Sequence, residues 1–191
     1  MGSVVDADET FLVRAVRAEE WPAAKALRLA ALRDPVAHLA FLETYETAVD
    51  RPDSFWRERT AGVADGSGRA RQIIAEGSDG AWAGTVTVLV EEAGTTDWAG
   101  FPVERRQGHV VGVFVRPEYR GRGLTERIFG AALAWCREIG LERVRLIVHA
   151  DNGRAQGFYR KIGFEPSGVE VPLAGREDER ELEFVLEWPA G

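Results

Sequence analysis

Val113-Phe-Val-Arg-Pro-Glu-Tyr-Arg-Gly-Arg-Gly-Leu-Thr-Glu-Arg-Ile-Phe129 is the stretch on which the reading of this chain turns. An apolar run stops at Pro117, passes through Arg120-Gly121-Arg122-Gly123, and gives way to apolar residues at helical spacing. Strand, glycine-bearing loop and helix start, in that order, leave the first N–H groups of the helix unpaired and aim its positive dipole end at the loop. The glycines remove the Cβ atoms that would hold a ligand off the backbone. Arg116, Arg120 and Arg122 add positive charge around it. This local chemistry suits a phosphate group.

The flanking sequence supplies the frame. Phe11, Val13 and Ala15 alternate with Leu12, Arg14 and Val16, predicting a strand over 11–17. Residues 19–33 turn helical, with Trp21, Ala24, Leu27, Ala31 and Leu32 able to share a face and Pro22 in the first turn. Further helices are predicted over about 36–49 and 53–63, the latter capped by Asp53 or Ser54. Strands over 70–76 and 82–91 meet at Ser78-Asp79-Gly80, and 93–107 reads as a polar loop carrying Trp98 and Phe101. The run 110–115 is nearly all apolar, as in a strand covered on both faces.

After Gly123, Leu124, Ile128, Ala131, Ala132, Trp135 and Ile139 form one helical stripe that Gly140 closes. A strand over 143–149, a helix from an Asp151-Asn152 cap to Ile162, and a last strand over 182–188 complete the pattern. One mixed α/β domain over residues 1–191, with a core of about 11–188, is the economical organisation.

Composition narrows the function classes. The chain is 45% hydrophobic and 29% charged, as a globular protein should be, and its net charge of −7 disfavours nucleic-acid binding through bulk electrostatics. Cys136 is the sole cysteine and falls on an apolar helical stripe, so neither a disulfide framework nor a catalytic thiol is expected. His38, His109 and His149 lack metal-ligand spacing, and no metal site is expected. No segment has the length and apolarity of a membrane span, the N-terminal residues lack signal-peptide character, and Asp6 stands where a myristoylation signal wants Ser or Thr. The chain reads as cytoplasmic, without membrane or nucleic-acid partners.

Two common phosphate motifs fail. The loop has no Gly-Lys-Ser/Thr for a P-loop, and Glu126 occupies the third glycine position of a dinucleotide fingerprint. What remains resembles the GNAT superfamily of acyl-CoA-dependent N-acetyltransferases. That family's R/Q-x-x-G-x-G/A loop is matched by Arg120-Gly121-Arg122-Gly123-Leu124-Thr125 except at the last position. Its N-x-x-A-x-x-F/Y-Y-x-x-x-G-F signature is matched by Asn152, Ala155, Phe158, Tyr159, Gly163 and Phe164. Residues 27–33 and 55–57 also look like a subgroup of the family.

The resemblance implies an α/β (α+β) GNAT fold: a mixed central sheet of six to seven strands, helices on both faces, and strands splayed at the acetyl-CoA cleft. It places the coenzyme A pyrophosphate on the N–H groups of Gly121, Arg122, Gly123, Leu124, Thr125 and Glu126, with Arg120 beside them. It gives the backbone of Val113 and Val115, around Phe114, to the pantetheine amides, where an N–H can also polarise the thioester carbonyl. Thr125 departs from Gly/Ala but keeps its N–H. Asn152 and Tyr159, close to two helical turns apart and so on nearly one face, take a coenzyme A hydrogen bond and protonation of the departing thiolate. Read without the resemblance, Asn152 is a helix cap and Tyr159 a core residue.

The base and the acceptor stay open at this level. Ile147 stands where some family members carry a carboxylate, so it is not the base. Glu43, Glu46, Glu104, His109 and a water relay are the candidates. The need for one depends on the amine: a lysine-like nitrogen of pKa ~10.4 costs about 4–5 kcal/mol to deprotonate at pH 7, an α-amine of pKa ~8 about 1 kcal/mol. The stretch from Phe41 to Tyr45 and the loop carrying Trp98 and Phe101 are the candidate acceptor-selecting parts. An N-acetyltransferase acting on a small-molecule or peptide amine by direct attack in a ternary complex is the leading reading. A non-catalytic acyl-CoA-binding module is the alternative, and homodimer formation is left open.

Overall fold

Alternating Val and Thr residues in the middle of the chain build a sheet, and the amphipathic segments around them must bury their apolar stripes against it. The computed structural model describes residues 10–97, 100–173 and 175–189. Seven strands form one sheet in the order β1-β2-β3-β4-β5-β7-β6. They are β1 Leu12–Ala15, β2 Ala70–Glu76, β3 Trp82–Glu91, β4 Gln107–Val115, β5 Arg143–His149, β6 Glu165–Leu173 and β7 Arg176–Glu187. Every neighbouring pair is antiparallel except β4 and β5. This is the mixed sheet expected of the fold.

The helices are α1 Trp21–Leu32, α2 Ala37–Ala40, α3 Tyr45–Val49, α4 Asp53–Val63, α5 Leu124–Glu138 and α6 Gly153–Lys161. On one face, Leu124, Ile128, Phe129, Ala132 and Trp135 of α5 and Tyr159 of α6 pack against Val86, Val88, Val110, Val144 and Leu146. On the other, Leu27 and Ala31 of α1 pack with Ile74, Trp82 and Phe114. Each large apolar side chain buried this way stabilises the fold by about 1.5–3 kcal/mol before entropy is counted. Among the described residues no helix is long and apolar enough to cross a membrane.

Four sequence expectations need correction. The predicted helix over 36–49 is two short helices separated by an extended Phe41. Thr44 caps the second by accepting from the Thr47 N–H at 3.3 Å, while Arg28 and Arg51 draw Glu43 out of helical register. The cap of α4 is Pro52, neither Asp53 nor Ser54, and Asp53 instead pairs with Lys25 at 3.0 Å.

Strand β4 begins at Gln107, before the predicted 110, because Gln107 and His109 are tied to Glu91 on the neighbouring strand at 2.7 and 2.8 Å. The last strand starts at Arg176, before the predicted 182, and pairs with β6, to which the sequence pattern assigns no element. The segment Glu165–Leu173 carries two prolines and a glycine and is exposed except at Val171 and Leu173, so it has no apolar period to read. It is held by pairing to β7.

Candidate active site

The site begins with a break in the sheet. Strands β4 and β5 pair only at Gly108–Val144, His109–Arg145 and Val110–Leu146. Beyond Val110 the strands part: β5 runs on beside β7 to His149–Glu181, and β4 stays with β3 through Gly84–Val115. The parting coincides with Gly112, whose φ of +64° belongs to the left-handed region, and with a register slip opposite Thr85 and Thr87. This is a glycine bulge, and it turns the backbone of 111–115 away from β5. Its sequence signal was a lone glycine inside an apolar strand run, which the reading above did not use.

Two cavities flank the break. The smaller, about 500 Å³, is lined by Val113, Phe114, Val115, Arg120, Gly121, Gly123, Thr125, Glu126 and Asn152 of the predicted cofactor set. Arg122 and Leu124 are not among its lining residues, Arg122 being exposed and Leu124 buried in the core. Gly121 and Gly123 have φ of +74° and +75°, and a Cβ built on either would meet nothing within 4 Å, so their backbone faces open space. Gly123 caps α5 without any side-chain hydrogen bond, leaving first-turn N–H groups for a ligand.

The charges around this cradle are partly committed. Arg120 donates from Nε to the Val115 carbonyl at 2.8 Å and pairs with Asp34, bracing the loop against the end of β4. Burial pushes the Asp34 carboxyl up, but Arg120 and the Val36 N–H outweigh it and hold the group below the usual range. Arg116 is turned to the Trp82 carbonyl at 2.8 Å. Lys161 pairs with Glu126 at 2.8 Å; Lys161 and then Glu126's own backbone N–H hold that carboxyl low. Arg154 also lines the cavity, a cation the sequence reading missed.

The larger cavity, about 820 Å³, lies between the sheet and helices α1 and α4, and shares Phe41, Val113, Asn152 and Tyr159 with the smaller one. Asn152 spends its Oδ1 on the Ala155 N–H at 3.2 Å, so capping is one of its roles and its amide donors are left over. Tyr159 sits among the rings of Phe129, Phe158, Phe164 and Phe184, and burial pushes its phenol well above the ordinary range. It keeps its proton at neutral pH. Such a group donates a hydrogen bond to developing negative charge.

Of the candidate bases, Glu43 and His109 line this cavity, whereas Glu46 and Glu104 are exposed outside it. Glu43 is bound by Arg51 at 2.8 Å and Arg28 at 3.2 Å, which overcome burial and keep its carboxyl low. His109 is buried with Nδ1 on Glu91 at 2.8 Å. Burial works to raise Glu91, but His109, Arg145 and Gln107 hold it down at about 2. A carboxylate absent from the sequence reading, Glu181 of β7, also lines the cavity; its buried Oε2 has no hydrogen-bond partner and burial raises its carboxyl pKa. Phe41 lines both cavities, Phe101 is exposed and lines neither, and Trp98 lies outside the described residues.

Comparison with known proteins gives the family and the fold. The profile of the Acetyltransferase (GNAT) family matches residues 30–164. The chain is 31% identical over 166 residues to the L-methionine sulfoximine/L-methionine sulfone acetyltransferase of Pseudomonas paraeruginosa, covering 82% of this chain and 92% of that one. It is 37% identical over 102 residues to the mycothiol acetyltransferase of Saccharomonospora viridis, covering 53% of this chain. The chain spans 32% of the length of that relative and 54% of the length of a further one from Bacillus subtilis. In fold it is similar to a GNAT-family acetyltransferase from Streptococcus pneumoniae, with a TM-score of 0.74 at 16% identity over 94% of this chain and 100% of that one. The family match spans both the sheet split at the glycine bulge and the glycine-capped helix that faces it, and the chain belongs to the Acetyltransferase (GNAT) family.

Proposed function

We propose that the chain is one N-acetyltransferase domain that moves an acetyl group from acetyl-CoA to a primary amine by direct attack in a ternary complex. The observation that carries this reading is the meeting of two cavities at Val113, Asn152 and Tyr159, one over the glycine cradle and one over the opposite side of the split. A regulatory module that only binds an acyl-CoA needs the first cavity alone.

In this reading the N–H groups from Gly121 to Thr125 hold the pyrophosphate, with Arg120 and Arg154 beside them, and the unpaired edge of β4 around Phe114 takes the amide arm; the Glu126 N–H joins them once it leaves its own carboxylate. Acetyl-CoA supplies the thioester. An N–H at the bulge polarises the carbonyl, and the Tyr159 hydroxyl donates to the sulfur as negative charge gathers there. Cys136 is fully buried and its thiol is pushed up to about 12, which supports direct attack over an acetylated cysteine. The relatives' names, a mycothiol and a methionine sulfoximine acetyltransferase, support a small amine as acceptor.

Tyr159→Phe tests the reading. Acetyl-CoA at one hundred times its Kd is expected to raise the melting temperature of both proteins by about 5–10 °C. Turnover, read as free-thiol release, should fall by about 100-fold in the variant with little change in acetyl-CoA affinity. Wild-type turnover in Tyr159→Phe would return that residue to the core, and no thermal shift in either protein would refute the cofactor.

A further inference from the structure

Buried polar atoms in native proteins nearly always have partners, so those that do not are informative. Among the described residues four such side-chain atoms have none: Arg28 Nε, Trp56 Nε1, Arg71 Nε and Glu181 Oε2. Three of the four belong to residues that line the larger cavity. They are sorted by chemistry. The two donors, Arg28 and Trp56, come from helices α1 and α4; the acceptor, Glu181, comes from strand β7.

Charge is sorted the same way. The helical wall presents Arg28, Arg51 and Arg59 against one carboxylate, Glu43, and Arg59 has no ion-pair partner among the described residues. Burial and the nearby Arg59 push the Arg28 guanidinium down, with Glu43 opposing, as expected where cations outnumber anions. On the strand wall, Glu91 and Asp97 are bonded to Arg145 at 2.8 and 2.9 Å, while His149 and Arg176 act on Glu181 only through space. Glu181 is the carboxylate there without a bonded donor.

We propose that this cavity takes a small acceptor carrying both an amine and an anionic group, an amino-acid-like zwitterion whose anion accepts from Arg28 and Trp56 beside Arg59 and whose amine docks on Glu181. The proposal rests on the acetyl-transfer reading and narrows it. The ammonium gives one proton to the Glu181 carboxylate, which passes it to solvent. The freed nitrogen lone pair forms the C–N bond, the C–S bond breaks with its electron pair on sulfur, and the second nitrogen proton ends on the thiol. Polyamines, cationic at both ends, would face the arginine wall.

The test pairs ω-amino carboxylates of rising chain length, and common α-amino acids, with their carboxamides, and adds spermidine. Free-thiol release gives kcat/KM, and calorimetric titration in the presence of coenzyme A gives affinity without turnover. At least one carboxylate should exceed its own carboxamide by about 10-fold or more in both, the effect of losing a hydrogen bond to a charged group. Arg28→Gln and, more gently, Trp56→Phe should raise KM for the carboxylate while leaving the carboxamide unmoved. Glu181→Gln should lower kcat and flatten the acidic limb of the pH profile. Carboxamides or spermidine preferred, or a carboxylate preference untouched by both Arg28→Gln and Trp56→Phe, would overturn the zwitterion and leave acetyl transfer standing. Absence of thiol release with every amine, together with no thermal shift from acetyl-CoA, would overturn both.

Discussion

Glu181 shows how a single side chain can serve a site at the expense of the fold. Burial raises its carboxyl above the ordinary value of 4.5, so the folded protein disfavours the charged form that the unfolded chain tolerates. The stability it permits is therefore present at low pH and is lost as pH rises through the folded pKa. Glu181→Gln should stabilise the protein at pH 7–8 by about 1 kcal/mol, the order of a buried polar group left unpaired. The gain should shrink as the pH is lowered toward 4, which thermal melts across that range would read. An unchanged melting temperature at pH 8 would mean that the carboxylate is well solvated. The sequence held no sign of this residue, since an orphaned oxygen is a property of the packed neighbourhood. Tyr159 stands out only through the family resemblance; its own pattern along the helix reads as a core tyrosine, and its burial among phenylalanine rings fits that reading as well.

At the scale of elements, local period decided what could be read in advance. The 3.6-residue stripe of α5, the alternation of β3 and the Asn152 cap of α6 all appear where the pattern places them. Strand β6 and the early start of β4 do not, because each depends on a partner strand rather than on its own sequence. Gly112 falls between the two cases: visible as a residue, silent as a bulge. Its φ of +64° costs an L-residue about 1–2 kcal/mol. Gly112→Ala should lower stability by that amount, although a Cβ there would meet nothing nearer than Thr87 Oγ1 at 3.8 Å. It should also weaken acetyl-CoA binding as the backbone relaxes toward β5. Gly130→Ala, on the exposed face of α5 with nothing within 4 Å, is the contrast: it should stabilise by about 0.5–1 kcal/mol. Equal coenzyme affinity in the two variants would remove the bulge from the binding argument.

Across the whole molecule, the closed end of the split is held by charge. Arg145 on β5 reaches Glu91 on β3, Asp97 in the following loop and Glu183 on β7 at 2.8, 2.9 and 3.1 Å, and His109 on β4 joins through Glu91. Because the folded Glu91 carboxyl is held at about 2 against an ordinary 4.5, its contribution is complete above pH 4.5. That contribution drains away as the pH falls toward 2. The melting temperature should drop through that window, and Glu91→Gln should lower it at pH 7 while flattening the acid slope; a slope unchanged in the variant would place acid sensitivity elsewhere.

The same split gives the sheet four edges where an uninterrupted one has two. The outer pair are guarded: β1 is four residues long with Arg14 paired to Glu20 and Glu76, and β6 carries Pro166, Pro172, Glu165 and Glu170. The inner pair, Val111–Val115 facing Ile147 and Val148, have neither prolines nor charges and are shielded instead by what packs over them, α2 against β5 among it. Conditions that loosen that cover without melting the sheet would bare the edge most able to recruit another chain. Solubility and catalysis are therefore expected to fail together, at the same seam.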